Sequence, residues 1–406
     1  MEEWKEYKAR DFCSAVTDGT HDSPKPTTEG HYLITSKHLK NNRIDFTSAN
    51  LISEEDYQKV IIRSAVEQYD ILFSMIGTIG NTVQVKQSHV DFAVKNMGIF
   101  KMGKNSLRST WLYYWLNSNS SKEYINQRLA GSTQSYLTLD SLRTFPVLYP
   151  GDNAAQSIVS ILKSLDDKIE VNRRINDNLE QQARALFKSW FVDFEPFKDG
   201  EFVESELGMI PKGWRVESLS SIADYINGLA MQKYRPEEVE KGLPVLKIKE
   251  LGQGSVDENS ELCSPSLIGE KYIINDGDII FSWSGTLMVK VWCGGKCGLN
   301  QHLFVVVPKD YQKWFVYQWT KYHLDNFIRI AKDKAVTMGH IKRGELDKAK
   351  VIIPDSDNLT RIDALMDPIF NQIISNEIES RRLATLRDAL LPKLMSGELK
   401  VNEIKE

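Results

Sequence analysis

The chain has 406 residues, 26% of them charged and 41% hydrophobic, with a net charge of −4. That length calls for more than one core, and the composition is that of an ordinary soluble protein. No apolar run reaches the length of a membrane span and the polar opening MEEWKEYKARDF is no secretory signal, so a cytoplasmic location is expected. Four cysteines (Cys13, Cys263, Cys293, Cys297) are too few for a disulfide framework.

In chain order, a Trp-bearing lead-in (3–6) is followed by short β-rich runs at 32–35, 71–74 and 82–85, and by an aromatic helix over 109–118. The segment 131–150 then leads into a long helix over 153–191. A linker at 196–211 precedes a second lead-in at 213–217, strand-like runs at 277–282 and 303–307, and an aromatic helix over 312–322. The segment 335–354 leads into a second long helix, 358–395. The aromatic helices are read as core. The two halves are one unit written twice: 131–150 aligns without a gap on 335–354, Thr133 with Thr337, Leu142 with Leu346 and Pro150 with Pro354, an offset of 204 residues that continues into the helices. Self-similarity at a fixed long period means a duplicated structural unit. The expected fold is α+β, with mixed α/β domains at 1–150 and 212–355, helical segments at 151–195 and 356–406, a linker at 196–211, and a pseudo-twofold internal repeat. The two globular segments carry net charges of +1 and +2, while the helices and linker are acidic. This lends the globular units weak support as binders of a polyanion.

Both long helices place apolar residues at 4-3 spacing. Ile158, Leu162, Leu165, Ile169, Leu179, Ala183, Leu186 and Trp190 form one seam, interrupted by Asn172 and Asn176. Ile362, Met366, Ile369, Ile373, Leu383, Leu386 and Leu390 form the other, interrupted by Asn376 and Ser380. The helices either pack on their own domains or pair as an antiparallel coiled coil, in which Asn172 and Asn376 meet and fix register. Pro368 is expected to kink the second helix or mark its start, and Pro392 to weaken its last turn. A helix of this size spans about 57 Å, roughly one and a half turns of B-DNA, which suits a spacer between two readers.

Loop residues in each unit carry donors suited to phosphates and base edges. In the first unit they are Thr20, His21, Lys25, Lys37, Ser74, Thr78, Lys95, Asn96, Thr133 and Gln134. In the second they are Lys233, Tyr234, Lys249, Ser284, Thr286, Asn300, Gln301, His302, Thr337 and His340. Turn and strand-end hydrogen bonding is the competing reading for each one. The loops 18–26 and 227–234 share placement but not side chains, as two units reading different sequences would. Catalytic motifs are missing: there is no phosphate-binding GxxxxGK[ST], no Asn-Pro-Pro-[Tyr/Phe] and no Gly-rich methyl-donor loop. Cys293, Cys297 and His302 invite a zinc reading, but a single short pair assigns no metal.

The strings FVDFEP (191–196), SELGMIPKGW (205–214) and LMSGEL (394–399) resemble landmarks of specificity subunits of type I DNA restriction-modification systems, and the resemblance covers the full chain. It implies two target-recognition domains, each reading half of a bipartite, asymmetric DNA site through the major groove, and an antiparallel coiled coil that sets the spacer. It also implies a non-catalytic chain that docks two methyltransferase subunits and, through them, restriction (translocase-nuclease) subunits. S-adenosylmethionine, ATP and Mg2+ would belong to those partners. A self-sufficient enzyme and a protein-binding scaffold are the alternatives; a scaffold predicts two nearly identical units.

Overall fold

The protein, seen in a computed structural model, is described at residues 4–40, 42–131, 135–257, 259–333 and 339–401. It divides into two compact units: Met1–Asp166 with Thr385–Glu406, and Asp167–Ala384.

The first unit is built on an antiparallel sheet in the order Ala15–Asp18, Met97–Lys101, Ile71–Ser74, Thr82–Gln84, with Gly98 opposite Asp18 and Met97 opposite Ser74. Its second sheet is mixed: His31–Ile34 runs antiparallel to Asn50–Ile52 and parallel to Phe92–Val94. Runs such as Ile71–Ser74 are buried on both faces, which explains their unbroken apolar character. The lead-in strand Lys5–Lys8 pairs with Pro146–Tyr149. The aromatic helix Ser106–Leu116 starts where the Asn105 side chain accepts from Arg108 N–H, a standard cap. Its Trp111 and Trp115 are buried, and their indoles donate to the carbonyls of Leu148 and Pro146 at 2.9 and 2.6 Å.

The second unit repeats this plan. Its antiparallel sheet has the order Ala223–Asn227, Leu303–Pro308, Asp278–Ser282, Met288–Trp292. Leu243–Leu246 runs antiparallel to Leu262–Cys263 and parallel to Cys297–Leu299, and Arg215–Ser218 pairs with Lys350–Ile353. Trp314 and Trp319 of helix Lys313–Tyr322 are buried. Trp314 donates to Asp363, whose pKa burial pushes up. At Trp319 the copies diverge: His323 takes the Lys350 carbonyl at 2.8 Å, leaving the Trp319 indole N–H without a partner among the described residues.

The long helices run Asp152–Phe191 and Ser356–Met395. The second passes through Pro368 and Pro392 without a break, against the expectation of a kink or a later start. Ile362, Met366 and Phe370, buried on either side of Pro368, hold the turn that proline deprives of one hydrogen bond. Within the second unit the two helices are antiparallel: Lys168 pairs with Glu379 at 3.1 Å, and Arg361 sits over the Trp190 ring. Between these lies a polar layer. Asn172 Nδ2 donates to Glu379 at 2.7 Å and to Ser380 Oγ at 3.3 Å, while Asn376 donates to Asn176 at 2.8 Å. The pairs 172–380 and 376–176 are exchanged by the 204-residue offset, so the repeat closes on itself here as a pseudo-twofold. Asn172 Oδ1 is buried with no partner among the described residues. Leu386, expected in the seam, is 48% exposed.

Within the first unit Asp166 accepts from Tyr114 Oη at 2.7 Å and from Arg387 at 2.6 Å. Leu391, Leu394 and Met395 complete the core that holds Ile158 and Leu162.

Candidate nucleic-acid interface

In both units the candidate interface is built around a glycine at the end of the first sheet strand. A Cβ at Gly19 would lie 2.4 Å from the Val94 carbonyl oxygen, and one at Gly228 would lie 2.3 Å from that of Asn300. Glycine is required by this close approach of two backbones. Gly19 N–H donates to Met97 O and Thr20 N–H to Val94 O; in the second unit Gly228 donates to Leu303 O and Leu229 to Leu299 O. The loop after each glycine is therefore zipped against the loop before the central strand.

In the first unit this brings together Thr20, His21, Lys95 and Asn96. His21 Nδ1 lies 2.9 Å from Asn96 Oδ1 and its Nε2 lies 3.0 Å from Asp18 Oδ2. Lys95 donates to Ser23, and Asn96 holds a left-handed backbone, φ 53°. Asp18 is nearly buried, 8% exposed at its side chain, and also accepts from Arg63 at 2.6 Å. Lys25, Lys37 and Thr78 are exposed on neighbouring loops.

In the second unit the residue before the glycine is Asn227, whose Oδ1 accepts from the Trp283 indole at 2.9 Å. The Trp283 ring stacks on Phe304 with centroids 5.6 Å apart and is flanked by His302 and His340, each at 6.3 Å. Gln301 lies beside His302, its Nε2 3.4 Å from the imidazole Nε2. Thr286 and Lys233 are exposed.

Several expected contacts turn inward. Ser74 is fully buried and its hydroxyl closes its own turn on the Ile76 carbonyl, as Ser282 does on Ser284 O. Ser284 is buried and bridges to His340 through the backbone. Asn300, also buried, uses its side-chain oxygen to accept from His302 N–H. Tyr234 packs on the small cluster around Met231 and Val245. Lys249, by contrast, stays exposed and is paired with Asp257 at 3.0 Å. Ser74 and Asn300 use their side chains on the backbone of their own turns, as small polar residues at strand ends do. Thr133, Gln134 and Thr337 lie outside the described residues.

Asp18, Asn227 and Trp283 lie in or beside loops the sequence singles out but are not among its candidate contacts, and Arg63 lies outside those loops. The recurring Asp-Gly and Asn-Gly dipeptides at 18–19 and 227–228 were the available signal. The Cys297 thiol donates to Gly295 O, and burial pushes its pKa, like that of Cys293, up to about 12. Among the described residues no group of three or more His, Cys, Asp or Glu is placed to hold a metal ion.

A duplicated sheet that presents different polar side chains from the same slot has the form of a two-headed recognition protein. The model of the "Type I restriction modification DNA specificity domain" matches residues 1–181 and 211–385. The chain is 29% identical over 385 residues to the type I restriction enzyme MjaIX specificity subunit of Methanocaldococcus jannaschii, covering 91% of this chain and 87% of the relative. It is 24% identical to the HindI specificity subunit of Haemophilus influenzae, covering 98% of this chain and 100% of that one. The crystal structure of a type I restriction-modification S subunit from M. genitalium shares the fold, with a TM-score of 0.51, 15% identity, and coverage of 97% and 96%. The protein belongs to the type I restriction-modification DNA specificity family. It is thus the component that recognises the DNA site and directs the complex to it, and it is not the catalytic one.

Proposed function

We propose that each unit reads one half of a bipartite, asymmetric DNA site through the major groove, and that the paired helices set the unspecified gap between the halves. The observation that carries this is the shared slot after the first sheet strand, held by glycine in both units and filled with Asp18, His21 and Asn96 in one and Asn227, Trp283 and His302 in the other. Different side chains on one frame are what two different half-sites require. The exposed donors Lys25, Lys37, Thr78, Lys233, Thr286 and His340, with the half-buried Thr20, Lys95 and Gln301, supply phosphate and base contacts around each slot. Asn172 and Asn376 hold the helical register. Two methyltransferase subunits dock on the helical segments and restriction subunits join that core. S-adenosylmethionine, ATP and Mg2+ act on those partners, in the cytoplasm, and the adenine to be methylated is flipped into the partner's pocket. No helix among the described residues is long and apolar enough to cross a membrane.

The test is a methylation map. The chain is co-expressed with its methyltransferase and the host genome is sequenced for modified adenines. A split motif with a fixed gap is expected. A continuous motif, or none with a demonstrably active partner, refutes bipartite reading.

A further inference from the structure

Resting on that reading, we infer that Arg63 is the guanine-reading residue of the first unit, aimed by Asp18. Arg63 lies in the last turn of helix Glu54–Ser64, and its side chain is 63% exposed. Asp18, 45 residues away in sequence, ends the first sheet strand with its carboxylate nearly buried. One carboxylate oxygen accepts from an Arg63 terminal nitrogen at 2.6 Å, the other faces His21 Nε2 at 3.0 Å.

The carboxylate is nearly buried and the guanidinium 63% exposed, so Asp18 is the fixed partner and Arg63 the one it orients toward solvent. Asp18 tethers the guanidinium at one nitrogen and leaves the rest of its fork without a partner among the described residues. A planar donor fork matches the O6 and N7 acceptors of guanine in the major groove; adenine presents an amino donor in place of O6 and is rejected. The carboxylate, which would repel a phosphate backbone, is covered by the two groups it orients. In the second unit the same slot holds Asn227, a neutral amide whose oxygen grips the Trp283 indole. One slot therefore aims a cation in one unit and an aromatic ring in the other.

The experiment compares methylation maps of the full chain with Arg63→Ala and with Arg63→Lys, each co-expressed with the methyltransferase, and adds binding to duplexes carrying each base pair at the affected position. The wild-type motif should hold a guanine in the half-site of the first unit. Both variants should relax that single position by about 5- to 150-fold in discrimination, with the second half-site unchanged. Arg63→Lys keeps the charge, so its overall affinity and salt dependence should stay near wild type. Uniform weakening at all positions, with the salt slope reduced by about one, would make Arg63 a phosphate contact and overturn the inference. So would an unchanged motif. A wild-type map with no split motif removes the function reading itself, a result distinct from either.

Discussion

At the scale of single residues, most polar side chains in this molecule serve the turn they sit in, and the few held in place by a distant partner stand out. His31 is one: it stacks on Tyr57 at 3.9 Å and hydrogen-bonds both Asp91 and Glu54. Burial lowers its pKa, but the bonds to Glu54 and Asp91 raise it further, for a net upward shift. A raised folded-state pKa means stability that is full below the unfolded value and lost as pH rises through the folded one. The gap in urea midpoint between wild type and His31→Gln should therefore be full below the ordinary imidazole pKa of about 6.5 and narrow as pH rises above it. A gap independent of pH would show that the charged imidazole contributes nothing. Trp283 is another, and here the effect falls on recognition. Trp283→Ala frees Asn227 Oδ1 to solvent, leaves the sheet intact, and should cost about 1–3 kcal/mol of discrimination per affected base pair. The loss should appear only in the second half-site; relaxation of the first half-site instead would contradict the assignment.

At the scale of elements, the helix pair of the second unit is fixed by its polar layer, and a clamp ties its second helix to loops of the sheet domain. Arg381 donates to both oxygens of Asp276 at 2.7 Å and to the Cys293 carbonyl at 2.6 Å. Burial works against ionisation of Asp276, but Arg381 outweighs it and lowers the pKa. The amide layer is the more exacting device, because each member needs its counterpart. Asn176→Ala strands the Asn376 donor and should destabilise by about 1–3 kcal/mol. Replacing both Asn176 and Asn376 by Leu should restore stability while loosening register. Urea unfolding and the gap in the methylation map check the two halves of that statement, and a double variant with an unchanged, sharp gap would dissociate the amides from register. This layer was legible in the sequence, since Asn172 and Asn376 interrupt two seams at one offset. The slot was not. Asp18 and Arg63 are joined only by the fold, and nothing local distinguishes a serine that closes a turn, such as Ser74, from one that reaches a ligand. Pro368 misled for a related reason: propensity is local, and the packing of Ile362, Met366 and Phe370 overrides it.

At the scale of the whole molecule, duplication followed by divergence has left strand order and helix seams alike while the slot contents changed. Recognition should then be modular. Exchanging 212–355 for the matching segment of a relative should alter one half-site and leave the other as it was, read by the same methylation map. Alteration of both halves would show that the units do not read independently.

The first unit takes its last pieces from the end of the chain: Leu391, Leu394 and Met395 sit in its core, and Arg387 pairs with Asp166. During synthesis the amino-terminal reader therefore leaves the ribosome with an open apolar face around Ile158 and Leu162, and can close it only after the other reader has been made. Chains halted after residue 384 should yield a protease-resistant second unit and a protease-sensitive first one. Equal resistance of both would show that the late-made turns are dispensable. Order of translation and order of folding run in opposite directions: the reader made first is the one completed last.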